Sequence, residues 1–229
     1  MLTAVKERDA TDWEEIARRE PYFSILTNEG SLDVAGNAGA SAAFFDTGEG
    51  DITTLLAAIS SLLGRDLRLG RVLDFGCGVG RLTLPLARRA AHVVACDIAP
   101  TMLVHARRNA LEAGLRNVSF LSSAELDELA PGEFDFICSL LVFEHIPPSV
   151  GYGLLQALTK LLAPGGVGAI QLKDRQADGY DERRVLGAIE PAGARVVAKL
   201  PTHQGGGESS AIVVMVKRAT NAGEMPDAR

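Results

Sequence analysis

Residues 72–87, VLDFGCGVGRLTLPLA, put glycines at 76, 78 and 80 directly behind a short apolar run, and the apolar spacing of a helix resumes after them. Glycine accepts left-handed backbone and lets amide N–H groups approach a ligand with no Cβ between them, so the turn suits a nucleotide-like ligand. The dinucleotide fingerprint G-x-G-x-x-G needs a glycine at position 81, where this chain has Arg81. That departure, with the lack of a Tyr-x-x-x-Lys pair for hydride transfer, opposes the alternative of an NAD-dependent oxidoreductase. Asp97, in CDIAPTML, follows Gly76 by 21 positions, and its carboxylate suits the two hydroxyls of a ribose or the cap of a helix opening at Pro100. Ile98 and Met102 have the bulk to enclose an adenine or to fill the core. Farther along, SLLVFEHIPP carries His145, whose ring titrates near neutrality and so serves either as a general base or as a fixing point for the loop before Pro147.

Groups this scattered need a scaffold that brings them to one edge. Short apolar runs at 71–75, 92–96, 117–121, 134–140 and 167–172 alternate with helical patterns at 80–90, 101–113 and 152–163, with only a short helix or loop at 123–130. Continuous apolar strands separated by amphipathic helices predict a doubly wound α/β, Rossmann-like domain whose parallel sheet is covered on both faces. Ligands of such sheets sit beyond the carboxyl ends of the strands, where strand order reverses, and the glycine turn falls at such an end. A helix near 181–192 leads to ARVVAKL at 194–200 and AIVVMVK at 211–217, joined by a link too short for a parallel crossover, which predicts an antiparallel hairpin. Ahead of the sheet, Thr11 followed by Asp12, Trp13, Glu14 and Glu15 predicts a helix start. Residues 30–50 read as a glycine-rich connection or mobile lid, and Asp51 as the cap of a helix through Leu63 with Ile52, Leu55, Leu56, Ile59, Leu62 and Leu63 on one face.

At 229 residues and 47% hydrophobic content the chain can bury one large core. A net charge of −6 opposes a phosphate-backbone binder, and no apolar stretch reaches the roughly 20 residues of a membrane span. The opening MLTAVKERDATDWEE has no basic segment followed by an apolar one, which predicts a cytoplasmic protein with neither nucleic acid nor membrane as partner. Cys77, Cys96 and Cys138 lie in or beside apolar runs, away from metal-ligand spacing, and read as reduced thiols.

Taken together, VLDFGCGVGRLTLPLA, CDIAPTML, FDFICSLLVFEHIP and LLAPGGVGAI resemble the class I S-adenosylmethionine-dependent methyltransferases over residues 70–217. The resemblance implies a seven-stranded sheet, mostly parallel with the antiparallel hairpin at its C-terminal end, and S-adenosyl-L-methionine as cofactor with its amino-acid end at the glycine turn. It assigns cofactor contacts to Asp74, Gly76, Cys77, Gly78, Gly80, Asp97, Ile98, Met102, Ser123, Ala124 and Leu140. Asp74 matches the acidic position that begins the family's glycine motif, and is expected to bond to the loop's amides or, through water, to the ligand's ammonium group. Many relatives read the adenine edge with Asp-Ala after the third strand. Here Ser123 precedes Ala124, leaving a hydroxyl acceptor and an amide donor, with Glu125 expected to be solvated. The expected layout is an N-terminal helical or lid segment at 1–50, the cofactor-binding methyltransferase domain at 51–218 and a flexible tail at 219–229.

The resemblance also sets the end of strand four beside the transferred methyl group. His145 is then the expected catalytic base for metal-independent O- or N-methylation of a small-molecule acceptor. Glu144 is expected to point away into solvent, His92 and His105 to be structural, and His203 to line the acceptor pocket. The strand-four loop lacks the Asn-Pro-Pro-Tyr or Asp-Pro-Pro-Tyr with which relatives cradle a nucleic-acid base, and no cluster of acids at the strand ends offers magnesium its ligands. Trp13, Tyr22, Phe23, Phe44 and Phe45 gather in the first 45 residues and predict a movable cover. A non-catalytic cofactor-binding module on the same fold is the remaining alternative.

Overall fold

Strand β1, Arg71–Phe75, turns Val72 toward one face of a sheet and Leu73 toward the other, and both are fully buried. A strand covered on both sides in this way needs helices on both sides. The computed structural model of the chain describes residues 2–22, 38–173, 179–203 and 209–219, with side chains at 11–22, 39–173, 179–202 and 210–219. Seven strands form one sheet in the order β3-β2-β1-β4-β5-β7-β6. They are β1, β2 (His92–Asp97), β3 (Val118–Ser122), β4 (Phe134–Ser139), β5 (Leu162–Lys173), β6 (Ala194–His203) and β7 (Ser209–Lys217). The first five pair in parallel, whereas β7 lies antiparallel between β5 and β6, as the short link between the last two strands requires.

The helices are α1 (Leu2–Arg19), α2 (Ala38–Leu63), α3 (Thr83–Ala87), α4 (Pro100–Glu112), α5 (Pro148–Leu161) and α6 (Glu182–Ile189). One face of the sheet packs Leu73, Val94, Ile137 and Ile170 against Leu155 and Leu158 of α5 and Val185 and Ile189 of α6. The other packs Val72, Val93, Phe136 and Val167 against Ile52, Leu55 and Ile59 of α2 and Leu86 of α3. The α/β class, the doubly wound arrangement and the terminal hairpin thus follow the sequence pattern. No helix among the described residues is long and apolar enough to cross a membrane.

Several local expectations are corrected. Helix α1 begins at Leu2, so Thr11 lies inside it and not at its start. Residues 38–50, read as part of a flexible connection, are the first half of α2, which runs unbroken to Leu63 across the boundary expected at 50. The alanines between 38 and 43 favour helix, and Gly48 serves close packing there: a Cβ on it would meet the Arg81 carbonyl oxygen at 2.2 Å. Residues 23–37 of that connection, Phe23 included, lie outside the described residues. Asp51 is mid-helix and pairs with Arg81 at 2.6 Å. Leu62, at the rim of the apolar stripe, is 45% exposed. The helix expected at 80–90 contracts to the five residues of α3, because Pro85 has no N–H to offer the Arg81 carbonyl. Conversely, β5 starts at Leu162, five residues early, through a register shift against β4 between Phe134 and Phe136.

Candidate active site

The sheet order places β1 between β2 and β4, so the strand order reverses beside β1 when the chain returns from β3 to β4, and the carboxyl ends of β1, β2 and β4 frame the site. The amides of Gly76 and Cys77 both donate to the Cys96 carbonyl, at 2.8 and 2.9 Å, tying the turn to the end of β2. Gly76 has φ of 76°, and a Cβ there would stand 2.3 Å from Val142 Cγ2 in the loop after β4. Only glycine fits between that loop and the turn. Gly78 and Gly80 also have left-handed backbone, and Cys77 is buried, its thiol donating to the Gly78 carbonyl at 3.6 Å. The Cys77 amide and carbonyl are both used within the turn, the carbonyl accepting from the Gly80 amide at 2.9 Å. All three cysteines are free thiols, and burial pushes those of Cys77 and Cys138 well above the ordinary range.

Asp74 is 1% exposed, and its carboxylate accepts from the Thr83 hydroxyl at 2.6 Å, a partner other than the loop amides or bridging water expected for it. Burial pushes its pKa up to about 6, with the Thr83 hydroxyl and the Arg81 guanidinium opposing the shift. Arg81, the residue that spoils a dinucleotide fingerprint, is 3% exposed and bonds Asp51 and Thr47 of α2. The position that excludes a third glycine fastens α2 to the glycine turn.

At the end of β2, Asp97 Oδ2 accepts from the Gly78 amide at 2.8 Å and Oδ1 from the Ala99 amide at 2.9 Å. With the Ile98 amide also bonded, the carboxylate still keeps a lone pair, so bracing the turn and receiving a ribose hydroxyl are compatible roles. Burial raises its pKa, with the charge of Glu14 adding to the effect against the backbone amides. Ile98 and Pro100 border an open cleft of about 640 Å³ whose opposite wall is Thr11, Glu14 and Arg18 of α1. Met102 is 3% exposed and packs with Tyr22, Phe44 and Val79, so of the two residues expected to flank an adenine only Ile98 faces the cleft.

After β3, Ser122 caps a 3₁₀ turn over Ser123–Glu128. The Ala124 amide, expected to read the adenine, donates to Ser122 Oγ at 3.3 Å, and Glu125, exposed to solvent as expected, also accepts the Ser122 amide at 2.9 Å. The pattern Ser-x-x-Glu at 122–125 is the sequence signal for this capping box. Ser123 and Leu140 are half-buried, the latter among the apolar residues that face α2.

His145 lies in a single 3₁₀ turn, Phe143–His145, beyond β4. Its Nε2 is 3.4 Å from Glu144 Oε1, so the acid expected to point away is paired with it, the tight turn bringing adjacent side chains round to each other. Burial and the Lys173 cation hold the imidazole below its ordinary range. Its ring meets Trp13 of α1 edge to face at 5.0 Å between centroids, while Glu14, the next residue, accepts from the Thr101 amide and hydroxyl of α4 at 3.0 and 2.6 Å. Helix α1 thus bridges the β2 and β4 sides of the site. His92 bonds Ser119 at 3.0 Å and His105 faces Tyr22; the His203 side chain lies outside the described residues.

Paired crossover helices, a glycine turn on β1 and an acid ending β2 define a Rossmann-like nucleotide-binding class, and the comparisons specify it further. Residues 72–166 match the family model described as a methyltransferase domain. The ubiquinone biosynthesis O-methyltransferase of Xylella fastidiosa is 43% identical over 98 residues, 42% of this chain and 39% of that protein. Its namesake from Xanthomonas euvesicatoria is 33% identical over 136 residues, 59% of this chain and 53% of the relative. The matched part thus spans about half or less of these curated relatives. Among solved structures, the magnesium protoporphyrin IX methyltransferase of Synechocystis PCC 6803 with bound S-adenosylmethionine superposes with a TM-score of 0.64 at 22% identity, covering 91% of this chain and 97% of that one. A SAM-dependent methyltransferase from Aquifex aeolicus gives a TM-score of 0.52 at 26% identity over 66% of this chain and 84% of its own. Residues 72–166 thus match a methyltransferase domain, within the fold that these S-adenosylmethionine-dependent methyltransferases share.

Proposed function

We infer that this chain transfers a methyl group from S-adenosylmethionine to a hydroxyl oxygen of a small aromatic acceptor. The observation that carries the reading is His145 set against Trp13, its ring still open to an acceptor, on the same sheet edge as the glycine turn and Asp97. When bound, the cofactor supplies a methyl carbon activated by a sulfonium leaving group. The chain's residues fit it. Gly76, Gly78 and Gly80 keep the turn open to a close-lying amino-acid end, and the spare lone pair of Asp97 receives a ribose hydroxyl. Ile98 forms an apolar wall toward the base.

With Nε2–H directed at Glu144, the imidazole of His145 keeps the Nδ1 lone pair to take the acceptor's proton. Burial and Lys173 favour its neutral form, as a base working near pH 7 requires. Trp13, on α1 seated against Thr101, offers a planar acceptor an aromatic face. The relatives' O-methyltransferase names support an oxygen acceptor. Among the described residues no three His, Cys, Asp or Glu side chains gather to hold a metal ion, and no step of the proposed reaction is assigned to one.

The test is turnover with S-adenosylmethionine and a graded panel of phenols, catechols and matching anilines, read as S-adenosylhomocysteine release and product mass. Methylated phenols or catechols support the reading. Methylation of anilines alone moves the acceptor atom to nitrogen, and tight S-adenosylhomocysteine binding with no turnover on any acceptor favours a non-catalytic module.

A further inference from the structure

Leu141 is the one described non-glycine residue with left-handed backbone, at φ of 65°. A branched side chain disfavours that conformation, and it persists only where its surroundings hold it. What holds it is visible. The Leu141 amide donates to Gln171 Oε1 at 3.2 Å, from β5. Gln171 is 4% exposed, and its Nε2 donates in turn to Ser210 Oγ of β7 at 3.0 Å and Thr202 Oγ1 of β6 at 3.4 Å. Thr202 closes the set by donating to the Ser210 carbonyl at 3.0 Å. The amide orientation is fixed by chemistry, since a backbone N–H can only donate and so must face the side-chain carbonyl.

The rest of the segment is fastened as firmly. Ser139 donates to the Phe75 carbonyl at 2.9 Å, locking the end of β4 to β1. Phe143 is fully buried against Phe75 and Tyr180, and the Tyr180 hydroxyl donates to the Ile146 carbonyl at 2.8 Å. Between these anchors stand Val142, against Gly76, and His145, against Trp13.

We propose that Gln171 is a positioning residue: by holding Leu141 left-handed it sets the course of residues 141–146, and with it the stance of His145 toward Trp13 and the glycine turn. A buried amide is costly unless all its partners are met, and here the loop after β4 and the two strands β6 and β7 supply them to a single point on the catalytic edge. Were Leu141 to relax to right-handed backbone, the chain would leave β4 in another direction and lift Val142 from Gly76. The consequence for catalysis rests on the reading of His145 as base; the holding of the segment does not.

Gln171→Leu tests it, alone and combined with Leu141→Gly, since glycine keeps a left-handed turn without being held. Four readouts are needed: hydrogen exchange at 141–146, the pH dependence of Trp13 fluorescence, S-adenosylhomocysteine affinity by calorimetry, and turnover of catechol. Gln171→Leu is expected to speed exchange at 141–146 about tenfold and to alter the Trp13 response, with affinity changed less than about twofold. Turnover of catechol should fall about ten- to a hundredfold. Adding Leu141→Gly should restore most of each loss, which a general loss of stability would not allow. Unchanged exchange at 141–146, or no rescue by Leu141→Gly, overturns the proposal. If Gln171→Leu does not fold, Ser210→Ala, which frees the Gln171 amide from β7, takes its place: faster exchange rescued by Leu141→Gly supports the proposal, and unchanged exchange or no rescue overturns it. Failure of the base reading is separate: His145→Ala then keeps parental turnover, while exchange and fluorescence still decide the role of Gln171.

Discussion

The indole of Trp13, on the N-terminal helix, meets the imidazole of His145, beyond the fourth strand, edge to face with ring centroids 5.0 Å apart. Trp13 is the chain's single tryptophan, so intrinsic fluorescence reads this one contact. An imidazolium quenches indole emission more than a neutral ring does. Because burial and Lys173 lower the His145 pKa, emission should climb with rising pH in a step whose midpoint lies below the ordinary histidine value. His145→Gln should abolish the step; a step that persists belongs to another group.

The same depressed pKa shapes catalysis. The pH–rate profile for a phenolic acceptor should rise with a midpoint below the usual histidine value, because only the neutral ring can take a proton. His145→Ala is expected to lower kcat by about 10²–10⁴ with little change in cofactor affinity, and to remove that limb. Parental kcat across the range in a folded variant would falsify the assignment and leave an orienting template.

Asp97→Ala should weaken S-adenosylmethionine binding by about 1.5–3 kcal/mol, the worth of hydrogen bonds to a charged group. It also deprives the Gly78 and Ala99 amides of their acceptor, so part of the loss is a slackened turn. Asp97→Asn separates the two contributions in calorimetry: it keeps one acceptor oxygen for the turn and loses the charge. Equal affinity for the parent and both variants removes Asp97 from the ribose site.

Glu14 accepts both the amide and the hydroxyl of Thr101 and so stands in for the side-chain cap that α4 lacks. Glu14→Ala should cost about 1 kcal/mol and speed hydrogen exchange in α1, since an N-cap is lost and the helix is released together. Bound cofactor and acceptor should slow exchange in α1 of the parent. Exchange indifferent to both ligands would count against α1 as a cover.

Asp74 gives a stability prediction of the opposite sign to most carboxylates. Its pKa is about 6 in the fold against an ordinary value of 3.8, so between these the folded state holds the extra proton. Stability is therefore lost as pH rises through that window, and the penalty is complete above it. Asp74→Asn keeps an acceptor for Thr83 without the charge. It should raise the melting temperature at pH 8, by up to about 3 kcal/mol of stability, and the gain should vanish near pH 4. A gain independent of pH would show that the charge is not its source.

The strand–helix alternation, the antiparallel ending and the site edge were legible because each is a short-range pattern. Apolar runs such as 71–75, a link too brief for a crossover, and glycines behind a strand fix their structure within a few residues. The class I resemblance rests on the same local motifs, and the pairing of β1 with β2 and β4 brings Gly76 and Asp97 together as those motifs imply.

Only the tertiary structure decided which partners the chemistry-bearing residues take. Asp51 and Arg81 lie 30 residues apart and meet because α2 folds over the glycine turn, so neither looks paired in the sequence. Glycines at 48 and 50 weakened the helical pattern of 38–50, yet contact with Arg81 and the burial of Phe44 select the helix there. Gln171 reads as one polar residue in an apolar strand, and its role depends on Leu141, Thr202 and Ser210, which three separate elements deliver. Local propensity is summed over neighbours along the chain, whereas a buried polar group is satisfied only by whatever the fold places against it; that is why the scaffold was written in the sequence and the fastening of its site was not.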